Sequence, residues 1–289
     1  MICPPVGIIG LGLLGSAMAE RLTERGLAPI GFDMNSERRD DAAGRGVAVV
    51  QAVDDVLESC ELILLSLPNG DIVDKLLAEV GDKLRAGRTI IDTTTAAPEQ
   101  MIAHAELLKP RGVGYVEAEV AGSSAQARKG EVLVFAGGDD TDLAKCQTVL
   151  TAFAAEVQHA GPVGNAAKWK LVHNLILGLH RAVLAEGLAF AEALGLDAAR
   201  LLDVLKRTPA ASTVMTTKGP KMLARDFAPQ ATVRQHLKDV RLILATAAQA
   251  QAMTPLSKLH AELLERTIDL GHSESDNSAV ITAFDRPRG

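Results

Sequence analysis

Gly10, Gly12 and Gly15 follow the apolar run Val6 to Ile9 directly and open a segment of helical period. A GxGxxG string in that position has a chemical use. The first glycine permits a tight turn, the second lets backbone approach a pyrophosphate, and the third lets the helix pack on the strand. The helix then directs its unpaired N–H groups and the positive end of its dipole at the phosphates. Asp33 ends the next apolar run 18 residues beyond Gly15, where a carboxylate accepts hydrogen bonds from ribose hydroxyls. Gly10, Leu11, Gly12, Leu13, Leu14, Gly15 and Asp33 are the candidate cofactor residues. A carboxylate at this place repels a 2′-phosphate, which favours NAD, while Arg38 and Arg39 leave NADP open.

These residues need a scaffold, and the first half of the chain supplies the pattern of one. Val6 to Ile9, Ala28 to Phe32, Leu62 to Ser66 and Thr89 to Ile91 are short apolar strand candidates. Leu13 to Arg25, Ser36 to Arg45 and Ile72 to Leu84 have helical period between them. Such alternation predicts an α/β, Rossmann-type, doubly wound parallel sheet. Gly114 to Val116 and Val132 to Ala136 form a further strand pair around a Gly/Ser segment that reads as a loop.

Beyond about Ala166 strand candidates vanish. Ala166 to Leu194 holds no proline and reads as one helix of about 29 residues, roughly 43 Å long, enough to run through both halves. Gly178 and Gly187 inside it signify close packing or a kink. The expected division is therefore a dinucleotide-binding domain at 1–164 and an all-helical substrate and dimerisation domain at 165–289.

Composition narrows the function classes. Hydrophobic residues are 47% of the chain but aromatics only 3%, so the core must be built from Ala, Leu, Val and Ile. A net charge of −6 lacks the basic footprint of a nucleic-acid binder. Cys3, Cys60 and Cys146 are odd in number and widely spaced, which argues for a reducing cytoplasm over a disulfide framework or zinc site. No run of about 18 uncharged apolar residues suggests a membrane span, and the apolar N-terminus lacks a basic lead-in for a signal peptide. His104, His159, His180, His260 and His272 show no metal-ligand spacing, so no metal is expected.

Several stretches resemble the β-hydroxyacid dehydrogenases, a family that includes 3-hydroxyisobutyrate dehydrogenases and tartronate semialdehyde reductases and is related to 6-phosphogluconate dehydrogenase. Residues 7–26, GIIGLGLLGSAMAERLTERG, are similar to its cofactor signature. Leu67, Pro68 and Asn69 match its LPN, Asp92 to Pro98 its DxSTxxP segment with Thr95 in place, and Glu117 to Gly130 its substrate loop. GNAAKWKLVHN at 164–174 resembles its catalytic helix, HLKDVRL at 236–242 its KDxxL motif, and Gly271, Asp276 and Ser278 its tail.

The resemblance implies hydride transfer between NAD and a small β-hydroxy acid or semialdehyde, with a lysine passing the proton and an asparagine positioning it. Lys170 and Asn174 lie four apart and share a helix face, whereas Lys168 points roughly 200° around, which selects Lys170. Such a lysine meets a chemical need, since the hydroxyl must lose a proton as hydride leaves its carbon. The resemblance also assigns Leu67, Pro68, Thr95 and Lys238 to the cofactor and Gly122 and Ser123 to the substrate carboxylate. Lys238 and Asp239 match the pair that closes the cleft. Three positions depart from the pattern: Ala121 replaces a serine, His173 an asparagine, and Ala231 a frequent aromatic. All three are substrate-pocket candidates and imply a larger pocket, with Ser124, Arg128 and His236 as replacement polar contacts.

Two alternatives share the fold, an NADPH-dependent reductase of small aldehydes or imines and a non-catalytic nucleotide-binding module. The long apolar helix implies a homodimer or homotetramer.

Overall fold

The structure is a computed structural model that describes residues 5–285; Cys3 lies outside the described residues. The chain divides after Lys170 into two compact units.

The first unit is built on one eight-stranded sheet. Its strands are β1 (Val6–Ile9), β2 (Pro29–Phe32), β3 (Ala48–Val49), β4 (Leu62–Leu65), β5 (Thr89–Asp92), β6 (Gly114–Ala121), β7 (Val132–Gly137) and β8 (Ala154–Gly161). They lie in the order β3-β2-β1-β4-β5-β6-β7-β8, all neighbours parallel except β6 and β7. The helices are α1 (Leu13–Glu24), α2 (Ser36–Gly44), α3 (Val53–Ser59), α4 (Gly70–Val80), α5 (Pro98–Leu108), α6 (Ser124–Lys129) and α7 (Asp140–Phe153). A sheet covered on both faces needs strands apolar on both, and all four residues of β1 are buried. Val6 and Ile8 pack with Met18, Leu22 and Phe153 in one layer. Ile9, Ile63 and Leu65 pack with Leu77, Met101 and Leu108 in the other. The chain winds away from β1 in opposite directions, through β2 and through β4, the switch point that opens a crevice at the strands' carboxyl ends.

Residues 114–131 differ from the sequence expectation. β6 runs on to Ala121, and α6 occupies the segment read as a loop. Two glutamates inside β6 hide its apolar alternation, and a capping box of Ser123 with Gln126 starts α6. β3 has only two residues, and β8 is a largely exposed edge strand, so neither carries a strand pattern.

In the second unit α8 (Asn165–Ala193), which begins in the first, continues without interruption. It is followed by α9 (Ala198–Leu205), α10 (Thr213–Thr217), α11 (Gly219–Ala224), α12 (Val233–Gln249) and α13 (Pro255–Thr267). Leu184, Leu188, Leu202, Met222, Leu237, Val240, Leu264 and Ile281 form the unit's aliphatic core. Gly178 is a packing glycine, because a side chain there would run into the rings of His236 and His260. Arg181, buried, donates to the His236 ring at 2.9 Å, and the two histidine rings lie 5.0 Å apart. Burial and the Arg181 charge hold the His236 pKa well below the usual imidazole range and that of His260 down to about 4. By length and composition α8 is apolar enough to cross a membrane, with 44% of its most apolar window buried.

Candidate active site

The glycine loop is built by steric exclusion. Gly10 has φ +99°, and a side chain there would strike the Ser66 carbonyl; one at Gly15 would strike the Gly10 carbonyl. Gly12 differs in facing open space as the N-cap of α1, with no side chain capping the helix and no acid in its first turn. The first-turn N–H groups of α1 are thus left for an anion, which fits a pyrophosphate. Leu11, buried, donates its N–H to Asp33 Oδ2 at 2.8 Å, and Asn35 donates to Oδ1 at 2.9 Å, so Asp33 ties the glycine loop to the end of β2. Arg38 lies 3.4 Å from Asp33, and Arg39 donates to the Asp33 carbonyl at 2.6 Å. Leu13 is exposed and Leu14 half-buried. Leu67, next to Pro68, donates its N–H to the Thr94 hydroxyl at 3.2 Å. Thr95, in the β5–α5 turn, donates its hydroxyl to Glu119 Oε2 at 2.9 Å.

Lys170 is 9% exposed, and its ammonium donates to the carbonyl of Val120, one residue before Ala121 and Gly122. Lys168 points to solvent. Glu117 sets where α8 begins, accepting the N–H groups of Gly164 and, at 2.8 Å, Ala167. Burial raises its pKa to about 7 against those two donors. Trp169 presents its ring edge-on to Phe135, with centroids 5.7 Å apart. At the end of β6, Ser123 caps α6, its N–H and hydroxyl both donating to Gln126 Oε1 at 2.9 and 3.1 Å. Arg128 is held by Glu20 at 2.9 Å, and Ser124 is buried.

In the second unit Asn174, one turn beyond Lys170, donates its amide N–H to Asp239 Oδ2 at 3.1 Å. Lys238 approaches the other oxygen of Asp239 at 3.0 Å. Asp239 therefore fixes which way the Asn174 carboxamide faces. His173 is half-buried, and Ala231 is exposed with its carbonyl accepting the Asn277 N–H at 2.9 Å. Among the described residues no group of three or more His, Cys, Asp or Glu side chains is placed to hold a metal ion. The sequence reading did not single out Glu117 or Glu119; charged residues two apart inside a buried strand were the available signal.

Residues 5–161 match the family described as the NAD binding domain of 6-phosphogluconate dehydrogenase, and residues 164–284 the one described as NAD-binding of NADP-dependent 3-hydroxyisobutyrate dehydrogenase. The chain is 27% identical to 2-(hydroxymethyl)glutarate dehydrogenase of Eubacterium barkeri over 98% of this chain and 96% of that protein. Identity to glyoxylate/succinic semialdehyde reductase 1 of Arabidopsis thaliana is also 27%, over 96% of this chain and 97% of that protein. Among solved structures, Mycobacterium tuberculosis 3-hydroxyisobutyrate dehydrogenase with L-serine superposes with a TM-score of 0.88 at 26% identity, over 98% of this chain and 99% of that one.

Proposed function

Because the chain belongs to the β-hydroxyacid dehydrogenase family, whose NAD(P)-dependent members act on CH–OH groups, we propose that it interconverts a small β-hydroxy acid and its semialdehyde, with Lys170 as general acid and base. When bound, the nicotinamide supplies the acceptor or donor of hydride. Gly10, Gly12 and Gly15 seat the pyrophosphate, and Asp33 holds the ribose. In oxidation the Lys170 amine takes the hydroxyl proton, and in reduction its ammonium returns a proton to the developing alkoxide. Asn174, aimed by Asp239, orients the reacting oxygen. The observation that carries this reading is a buried lysine held by the carbonyl that leads into Ala121 and Gly122.

Lys170→Ala is expected to lower kcat by about 10²–10⁴-fold while the dissociation constant for NAD stays within threefold. Unchanged turnover would remove Lys170 from the mechanism.

The carboxylate of Asp33 favours NAD. Arg38 and Arg39, both against Asp33, are the feature that favours an NADP-linked reductase instead. Initial rates with each cofactor decide between them. Ala121 and Ala231 in place of larger side chains suit a substrate with more bulk next to its carboxylate. A panel of short hydroxy acids, branched and unbranched, tests this.

The same chain is a cytoplasmic homo-oligomer in our reading. Cys60 and Cys146 are buried free thiols, which suits a reducing compartment. Val172, Ile176, Val183 and Phe190 form an exposed apolar stripe along α8, about 27 Å from first to last, and exposed Leu194 follows directly after the helix. A second copy of the chain is the partner that buries it. Val183→Glu is expected to halve the particle mass or more in light scattering with circular dichroism unchanged. A wild-type protein that is monomeric at all concentrations would refute the stripe as an interface.

A further inference from the structure

A line of hydrogen bonds enters the first unit from its surface. Asp74 on α4 is exposed, and its Oδ1 lies 2.6 Å from Nε2 of His104 on α5. The other ring nitrogen of His104, Nδ1, lies 3.2 Å from the hydroxyl of Tyr115 on β6. That hydroxyl donates at 2.7 Å to Oδ2 of Asp92, the last residue of β5. His104 and Tyr115 are buried, and Asp92 is completely so. The line therefore joins a carboxylate in solvent to one sealed from it.

Proton accounting shows what the line holds. Three hydrogen bonds in series need three protons, one between each pair of heavy atoms. A neutral imidazole and a phenol bring one each, and a carboxylate brings none. The third is a further proton with two places to sit. On Asp92 it makes a neutral acid whose O–H donates to Tyr115, while the Tyr115 hydroxyl donates to Nδ1. On Nδ1 it makes an imidazolium that donates to both Asp74 and Tyr115, while the Tyr115 hydroxyl donates to Asp92. A paired shift interconverts the two. The Asp92 O–H bond breaks as an O–H bond forms on Tyr115, and the former Tyr115 O–H bond breaks as an N–H bond forms on His104. Nothing is oxidised or reduced, and the total charge is unchanged.

Other groups face the line from each side. Glu117 and Glu119 of β6 are buried carboxyls that act on Tyr115, and register places Glu117 beside Asp92. At the outer end Gln100 of α5 donates to both Asp74 and Asp71 of α4 at 3.1 Å. Met101 adds an uncharged thioether 3.1 Å from the Tyr115 hydroxyl. Burial pushes the Asp92 carboxyl above its ordinary range against the pull of Tyr115 and Thr94, which suits a place that keeps a proton.

The inner end of the line shapes two turns. Asp92 Oδ1 accepts the Thr94 N–H at 2.8 Å, and the Thr94 hydroxyl accepts the Leu67 N–H at 3.2 Å. Asp92 thus fastens the turn after β5, which carries Thr95, to the turn after β4, which carries Leu67 and Pro68. Resting on the assignment of Leu67, Pro68 and Thr95 to the cofactor, we propose that His104 and Tyr115 are positioning residues for it, and that the proton they share with Asp92 sets the affinity for NAD. With that proton present all three bonds are made. Without it Nδ1 and Asp92 compete for the one Tyr115 proton, and the buried carboxylate draws harder on the Thr94 N–H and displaces the turn.

Titration calorimetry of NAD at a series of pH values from about 5.5 to 9 tests this. The wild-type dissociation constant should rise at least about threefold through one ionisation, which belongs to the whole line. Tyr115→Phe removes the middle of the line and should flatten that dependence, an effect that a merely structural tyrosine would not have. Asp74→Asn, at the exposed end, keeps an acceptor for the His104 N–H and removes a negative charge that helps to hold the proton. Its midpoint should move to lower pH by at least about half a unit. It serves also if Tyr115→Phe fails to fold. A flat wild-type profile overturns the proposal, and so does a Tyr115→Phe or Asp74→Asn profile that superimposes on a sloping wild-type one; in each case NAD still binds and the cofactor assignment stands. Wild-type protein that binds neither NAD nor NADP at any pH sinks that assignment itself, and the proposal with it.

Discussion

Gly10 and Gly12 stand two residues apart and serve different ends. At Gly10 the backbone is left-handed and a side chain meets a carbonyl, so Gly10→Ala strikes the folded state itself. A loss of about 1–3 kcal/mol in chemical denaturation is expected. At Gly12 nothing lies within reach of a Cβ. Gly12→Ala should therefore unfold within about 0.5 kcal/mol of wild type, an ordinary surface effect. Its dissociation constant for NAD should rise at least tenfold, since the methyl group occupies the pyrophosphate's approach; equal affinities would show that Gly12 does not face the phosphates. This is also where the sequence was most readable, because a positive φ or a close approach is written in the residue type. Helix phase distinguished Lys170 from Lys168 for the same reason: one lies inside and the other in solvent. The contact of Thr95 with Glu119 was not readable, since it joins two elements whose relative placement only the folded sheet determines.

For an element, the instructive case is the start of α8. Its first N–H groups are met by Glu117 from a neighbouring strand, 50 residues earlier than Ala167. Glu117→Ala would leave Gly164 and Ala167 with buried, unpaired N–H groups, at a cost of about 1–3 kcal/mol each at most. We expect a loss of about 2–4 kcal/mol in urea unfolding, and a loss below 0.5 kcal/mol would show that α8 needs no such anchor. The central strands β1, β2, β4 and β5 were legible as apolar runs, because parallel strands covered on both faces are mostly apolar, with Thr89 and Asp92 at the ends of β5 as buried polar exceptions. β6 was legible only in its first residues. Its glutamates accept the N–H groups that start α8 and the Thr95 hydroxyl, and these buried polar residues interrupt the apolar strand pattern. β8 escaped because an edge strand has little apolar surface to show.

Across the molecule, the two units respond to pH with opposite sign. In the first, burial raises the pKa values of Asp92, Glu117 and Glu119, that of Glu117 to about 7 from an ordinary 4.5. The folded state then holds protons that the unfolded chain has lost, so this stabilisation is fully present below about pH 4.5 and disappears as pH rises through 7. In the second, His236 and His260 are held below their ordinary 6.5, His260 to about 4. Here the unfolded chain takes up protons first, so stability present above pH 6.5 is lost as pH falls toward 4. Hydrogen exchange at pH 5.5 and at pH 8 should show protection in residues 5–170 strengthening toward acid and protection in residues 171–285 weakening. Parallel changes in both would contradict the assignment.

Trp169 is the only tryptophan in the chain, and it precedes Lys170 directly. Half-exposed and edge-on to Phe135, its indole is an optical probe that nature has placed beside the buried Lys170. Emission from this protein reports on one address. A reduced nicotinamide seated in the same unit absorbs in the region where indole emits, so its arrival can be followed as quenching, without a label and without turnover.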